Sequence, residues 1–296
     1  MHQTTPSRLQ RQTQYRLYVP PGSTPSNGFP LLVALHGCTQ TADDFERGTQ
    51  FDDVAAQYRA IVLYPQQSQH RNPRRCWNWF DEANQRHSGP EPSEIIGIVD
   101  EIVRRYPIDR SRIALAGISA GGVMSSILAE QRPDLFCAAA IVAGMPLHCA
   151  TEPHAALAQM KSGARLTSDS AIIRRLIDDP RRYARMRIQI WAGDNDRVVN
   201  PNNSVVLADQ FRTLLRLDPK AIHMSDGQME IRRWLDTAGL TRMELRIVKG
   251  LGHRWSGGSL RGSHTYPNGP NMSAIMVPFL LRPQVADLSL IHISEP

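Results

Sequence analysis

Ile113-Ala114-Leu115-Ala116-Gly117-Ile118-Ser119-Ala120-Gly121-Gly122 is the stretch that decides the fold. An apolar, β-prone run enters a Gly-x-Ser-x-Gly pentapeptide. A helix-compatible stretch, Val123 to Gln131, leaves it and ends before Pro133. Strand, sharp turn, helix is the setting in which this pattern means a nucleophile elbow. The turn strains the serine backbone, so its neighbours must be small, and Gly117, Ala120, Gly121 and Gly122 satisfy that need. The Ser119 hydroxyl would then stand above the end of a sheet, over the N-terminus of the next helix, where negative charge is favoured. With 20 glycines in 296 residues, the pentapeptide alone also fits a Gly-rich turn without chemistry, so its partners must carry the reading.

A serine hydroxyl is a poor nucleophile until a base, a group that orients the base, and oxyanion donors surround it. In this type of fold the order along the chain is Ser, then Asp or Glu, then His. The acid candidates are Asp194 and Asp196, in a loop that follows the alternating run Arg187–Trp191. A carboxylate there reaches the same sheet edge as the elbow, although both aspartates also suit turn positions. The base candidate is His253, in Gly250-Leu251-Gly252-His253, after a strand-like run Glu244–Val248. A lone loop histidine is most often a surface residue, but this one follows the acid in the required order. The run Pro30–Cys38 reads as a buried strand ending in a His36-Gly37 turn, which aims the backbone N–H of Cys38 at the oxyanion. The N–H after the nucleophile, on Ala120, is the second donor. The other nine histidines form no two-histidine or Cys-x-x-Cys pattern, so neither metal nor other cofactor is expected.

Four blocks together resemble one family. They are Leu35-His36-Gly37-Cys38-Thr39-Gln40-Thr41, Cys76-Trp77-Asn78-Trp79-Phe80-Asp81, Gly117–Gly122 and His253-Arg254-Trp255-Ser256-Gly257-Gly258. The chain from about Gln14 to Leu281 is similar to the poly(3-hydroxybutyrate) depolymerase family of α/β-hydrolases, the PHB-type esterases. The family's acid block looks like Asp-x-x-Val, which Asp196 and Val199 match and Asp194 does not. The resemblance implies a serine hydrolase of short-chain polyester, with Ser119, Asp196 and His253 as triad and Cys38 and Ala120 as backbone oxyanion donors. Trp79 and Trp255 are expected to line the cleft and pack on the substrate chain, unless they are core aromatics bracketing the loops. The resemblance also brings Cys38 and Cys76 near the site, where they are expected to form a disulfide if the protein is exported. The same broad family includes feruloyl and acetylxylan esterases, which are the rival enzyme reading. A silent hydrolase fold used for binding is the rival of another class, and the complete triad argues against it. Arg254 departs from the family pattern, where a smaller or apolar residue is expected after the histidine.

Elsewhere strand-like and helical stretches alternate, which predicts a mostly parallel sheet covered on both faces; with what the resemblance implies, this makes residues 1–287 one α/β-hydrolase domain. Expected strands are Gln14–Val19, Leu31–Leu35, Ala60–Leu63, Ile113–Ala116, Ala138–Val142, Arg187–Trp191 and Glu244–Val248. Expected helices include Ala42–Tyr58, Ser93–Arg105, Val123–Gln131, Ser204–Leu217 and Met272–Leu281. The polar, arginine-rich segment Pro146–Met186 breaks the alternation and reads as an inserted cap, with an amphipathic piece at Ala171–Ile177. Net charge is +6, but the basic residues are scattered among acids with no binding motif, so nucleic acid is not an expected partner. No apolar run is long enough for a membrane helix. The first 29 residues hold no signal-peptide core, against the extracellular location the family implies. The tail Leu288–Pro296 reads as a translated sequencing adaptor and is excluded from fold reasoning. Cys137 is expected in the core.

Overall fold

A computed structural model describes residues 14–164 and 180–283. Nine strands form one sheet in the order β1-β3-β2-β4-β5-β6-β9-β8-β7. The central strands are β2 (Phe29–Leu35), β3 (Ile61–Pro65), β4 (Ile108–Ile118), β5 (Ala138–Val142), β6 (Arg187–Gly193) and β9 (Thr241–Val248), all parallel to one another. β2, β3 and β5 are continuous apolar runs because helices cover both faces, and every residue of these strands and of β6 is buried. At one edge β1 (Tyr15–Tyr18) runs antiparallel to β3. At the other, an antiparallel hairpin of β7 (Ile222–Ser225) and β8 (Met229–Leu235) extends the sheet beyond β9. This hairpin was not among the expected strands. Its signal was present: Met229–Leu235 alternates, and Asp226-Gly227 precedes it as turn chemistry.

The seven α-helices among the described residues are α1 (Ala42–Thr49), α2 (Phe51–Gln57), α3 (Pro90–Arg105), α4 (Ala120–Gln131), α5 (Pro153–Ser162), α6 (Asn202–Leu214) and α7 (Met272–Leu281). One correction concerns Ala42–Tyr58, expected as a single helix. Gln50 adopts the left-handed conformation, φ 55°, and splits it in two. The break turns Phe45 and Phe51 onto the same buried indole, Trp255, at centroid distances of 5.5 and 5.2 Å. It also lets the chain at Ser259 approach closely enough to donate its N–H to the Gly48 carbonyl.

The parallel register brings the C-terminal ends of β2, β4, β6 and β9 to one edge, where the loops of an open α/β sheet bind ligands. Between β5 and β6 runs Pro146–Met186, the segment expected as a cap. Of it, α5 and a short 3-10 turn, Pro180–Tyr183, are described; Ala171–Ile177 lies outside the described residues, as does the tail Leu288–Pro296. The end of α5 is pinned to the loop after β6: Asn200 N–H donates to the Met160 carbonyl at 2.8 Å, and the Asn203 amide donates to Gln159 and Met160 carbonyls. No described helix is long and apolar enough to cross a membrane.

Candidate active site

Ser119 sits between β4 and α4 with φ 55° and ψ −124°, a strained conformation for a residue with a side chain. Two glycines make it attainable. A Cβ on Gly117 would lie 2.4 Å from the Gly121 carbonyl oxygen, and one on Gly121 would lie 2.2 Å from that of Leu35. The Ser119 N–H is spent on the Val142 carbonyl at 2.8 Å, which fastens the turn to β5. Among the described residues, no protein acceptor takes the backbone N–H of Cys38 or of Ala120. Ala120 opens α4, so its N–H also carries the helix's positive end.

The turn that presents Cys38 is held from beneath. Buried His36 shares a 2.8 Å hydrogen bond with the Gly37 carbonyl through Nδ1, while its Nε2 accepts the Gln67 N–H at 3.1 Å. Both contacts suit a neutral ring, and burial pushes its pKa down to about 4. Trp77 donates its indole N–H to the His36 carbonyl, and Gln40 Oε1 accepts the Gly37 N–H. Glu91, buried at the start of α3, accepts hydrogen bonds from the Asn78 backbone, the Asn78 amide and the Gln67 amide at 2.6–2.7 Å. Burial raises the Glu91 pKa against those three bonds. Cys38 and Cys76 are joined in a disulfide, Cα–Cα 4.2 Å, which ties the turn to the tryptophan block. Sequence reading did not single out Gln40, Trp77 or Glu91 as supports. Gln40 and Trp77 lie inside blocks already quoted, whereas Glu91 carries no local signal.

Asp196 and His253 meet at the edge: Asp196 Oδ2 lies 2.7 Å from His253 Nδ1. The other oxygen, Oδ1, accepts the N–H groups of Val198 and Val199 at 2.8 and 2.9 Å. Asp194 has a different task. It is exposed, and its Oδ1 accepts the Gly250 N–H at 2.6 Å. Further bonds, Asp194 N–H to Val248 and Asn195 N–H to Leu251, join the aspartate loop to the histidine loop. A Cβ on Gly193 would come within 2.0 Å of the Leu251 carbonyl oxygen, so the approach of these loops requires glycine there.

Ser119, His253, Cys38 and Ala120 line one cavity of about 710 Å³. Trp79 lines it too, while Trp255 does not. Trp255 is wholly buried, packed on Phe45 and Phe51 with its N–H directed to Ser273. The expectation that Trp255 contacts substrate is therefore corrected: it turns away from the histidine loop into the core. The far wall is apolar and comes from α5 and its surroundings, with Ala156, Leu157, Met160, Met145 and Val198. Cys137 is buried in the core, as expected. No group of metal-binding side chains occurs among the described residues.

Residues 13–225 match the family model for esterase PHB depolymerase. The chain belongs to this family. It is 32% identical to poly(3-hydroxyalkanoate) depolymerase C of Paucimonas lemoignei over 79% of this chain and 56% of that protein. The chain thus spans little more than half the length of that relative. It is 26% identical to a probable acetylxylan esterase A of Aspergillus flavus over 80% of this chain and 78% of the other. Among solved structures, an acetyl xylan esterase from Aspergillus awamori superposes with a TM-score of 0.69 at 22% identity, covering 81% of this chain and 88% of that one. That likeness confirms the α/β-hydrolase fold.

Proposed function

We propose that the protein is a serine carboxylic-ester hydrolase acting on short-chain polyhydroxyalkanoate through an acyl-enzyme. The observation that carries the reading is the 2.7 Å Asp196–His253 pair on the same cavity as the strained Ser119 and two uncommitted N–H groups. His253 takes the Ser119 proton as the Oγ attacks the ester carbonyl. Asp196 holds the imidazole in the tautomer that leaves Nε2 free and stabilises the charge that develops. The N–H groups of Cys38 and Ala120 receive the oxyanion, each such donor contributing about 3 kcal/mol at the transition state. His253 returns its proton to the departing alcohol. Water then attacks the acyl-serine, His253 serving again as base, and the acid product leaves. The α5 region acts as a cap over this site. The Cys38–Cys76 disulfide supports work in an oxidising compartment outside the cytoplasm.

Acetylxylan and feruloyl esterase relatives, matched over more of their length, support a second reading: deacetylation or deferuloylation of plant polysaccharide. Clearing of a poly(3-hydroxybutyrate) emulsion, set against acetate and ferulate release from xylan, tests both. Acid release from polysaccharide with no clearing would overturn the polyester reading.

A further inference from the structure

The cavity has a one-sided charge. Arg74, Arg197 and Arg254 are among its lining residues, and no aspartate or glutamate is. The three arginines are exposed, and among the described residues none of them forms a salt bridge. They stand on three separate supports. Arg74 belongs to the segment whose carbonyl accepts the Thr39 N–H beside the oxyanion turn. Arg197 directly follows the aspartate that holds His253, and Arg254 directly follows His253 itself.

Three carboxylates beside the catalytic loops are committed elsewhere. Asp196 is buried behind the imidazole. Asp194 caps the Gly250 N–H. Asp44 accepts from Gln40 and from the backbone of Ser263. His264, the second lining histidine, is exposed and shares a hydrogen bond with Thr39 Oγ1. Partial desolvation, together with the neighbouring His253 and Arg254, pushes its pKa down. The fixed charge on the lining is therefore that of the three guanidinium groups, beside an apolar wall from α5.

A neutral polyester interior has no use for such charge. We propose that this cavity selects esters that carry a carboxylate several atoms from the scissile bond, and that its natural substrates are free-acid hydroxyalkanoate oligomers, gripped by the carboxylate end, rather than the interior of a polymer chain. The inference rests on the polyester reading of the site for the oligomer's identity, and on the cavity lining alone for the charge. A guanidinium offers paired donors to a carboxylate and keeps its charge at any working pH. A cleft lined by one sign of charge raises the local concentration and capture rate of the opposite sign by tenfold or more, and salt removes the effect.

Two p-nitrophenyl esters of adipic acid test this without presuming polyester: the free acid and its methyl ester, which differ in the remote charge and one methyl group. The expected kcat/KM ratio, acid over methyl ester, is about tenfold at 20 mM salt and near one at 1 M, where the screening length falls to about 3 Å. The triple variant Arg74→Gln, Arg197→Gln, Arg254→Gln should bring the low-salt ratio to about one. A ratio of one or less in the wild type, or one that the triple variant leaves in place, would overturn the proposal. A second readout needs no chemistry: in the Ser119→Ala protein, adipic acid monoamide should bind about tenfold tighter than adipamide by calorimetry, and equal affinities would overturn it. The trimer of 3-hydroxybutyrate and its methyl ester then locate the source of the carboxylate. If the adipate pair shows the preference and neither trimer is cleaved, the polyester reading fails and carboxylate selection stands.

Discussion

The sheet side of the cavity and its α5 side face the same substrate space but are held in unlike ways. On the sheet side nearly every support is a hydrogen bond made to a backbone group or a glycine with no room for a side chain: Ser119 N–H on Val142, the His36 ring on Gly37 and Gln67, Gly193 beneath Leu251. On the other side, Ala156, Leu157 and Met160 present apolar side chains from a ten-residue helix that is hydrogen-bonded at its end by Asn200 and Asn203. The sheet side fixes reacting atoms, for which displacements of about 1 Å cost orders of magnitude. The α5 side only shapes space, and apolar contacts there change affinity by small factors. Substitutions should therefore separate the two sides by size of effect.

The largest effect is expected at the triad. Ser119→Ala and His253→Ala should each lower turnover of a p-nitrophenyl ester by about 10⁴–10⁶-fold with the melting temperature little changed, because the members act as a unit. Retention of wild-type turnover in either would break the assignment. Asp196→Asn should cost about 10⁴-fold, since an amide stabilises the wrong imidazole tautomer. Asp194→Asn should stay within a few-fold, because an amide oxygen still accepts the Gly250 N–H. The reverse order would move the acid to Asp194.

These two aspartates also show what was legible beforehand. Gly-x-Ser-x-Gly, the strand before it and the order Ser, Asp, His are local patterns, and the structure brings those residues to one edge. Choosing Asp196 needed the family's Asp-x-x-Val, and the geometry adds a physical reason: its Oδ1 is fixed by the N–H groups of Val198 and Val199. Tertiary demands were not legible. The Gln50 break, the burial of Trp255 and the Glu91 hub depend on partners tens to hundreds of residues away, and propensity within a window of sequence cannot register them. Arg254 was visible as an oddity, but its company with Arg74 and Arg197 around one cavity appears only in three dimensions.

The disulfide belongs to the sheet side and should act on both stability and rate. It closes a span of 38 residues, for which loop-closure entropy gives about 4 kcal/mol. The double variant Cys38→Ser, Cys76→Ser is expected to melt roughly 8 °C lower and to turn over more slowly, since the turn carrying the Cys38 N–H loses its tie. An unchanged melting temperature would show that His36, Gln40 and Trp77 hold the turn unaided.

A smaller, pH-dependent effect should come from His36. Its folded pKa of about 4 lies below its ordinary 6.5, so the fold favours the neutral ring. That contribution is complete above pH 6.5 and is lost as pH falls toward 4, amounting to roughly 2–3 kcal/mol by pH 4.5. Asp52, held up to about 6, and Glu130, up to about 7, act with the opposite sign, gaining as pH falls. The informative quantity is thus a difference: urea unfolding at pH 7 and 4.5, in wild type and in His36→Asn. The variant should be less stable at pH 7 and lose less on acidification. Equal acid losses in both proteins would remove His36 from the account.

The smallest effect should come from α5, and it sharpens the comparison most. Leu157 lines the cavity yet is 58% exposed, so truncation removes little buried surface from the protein itself. Leu157→Ala should leave the melting temperature within about 2 °C, the change expected of a surface substitution. What it removes is apolar wall that a bound acyl chain would cover, and each lost methylene contact is worth about 0.8 kcal/mol at most. KM for p-nitrophenyl esters should therefore rise a few-fold for hexanoate and hardly at all for acetate, whose methyl group stays close to Ser119 when the carbonyl sits on the Cys38 and Ala120 donors. With kcat held, a chain-length-dependent KM marks α5 as a surface that sorts substrates. A large fall in kcat on acetate would instead mean that α5 positions the reacting atoms, and the division between the two sides of the cavity would not hold.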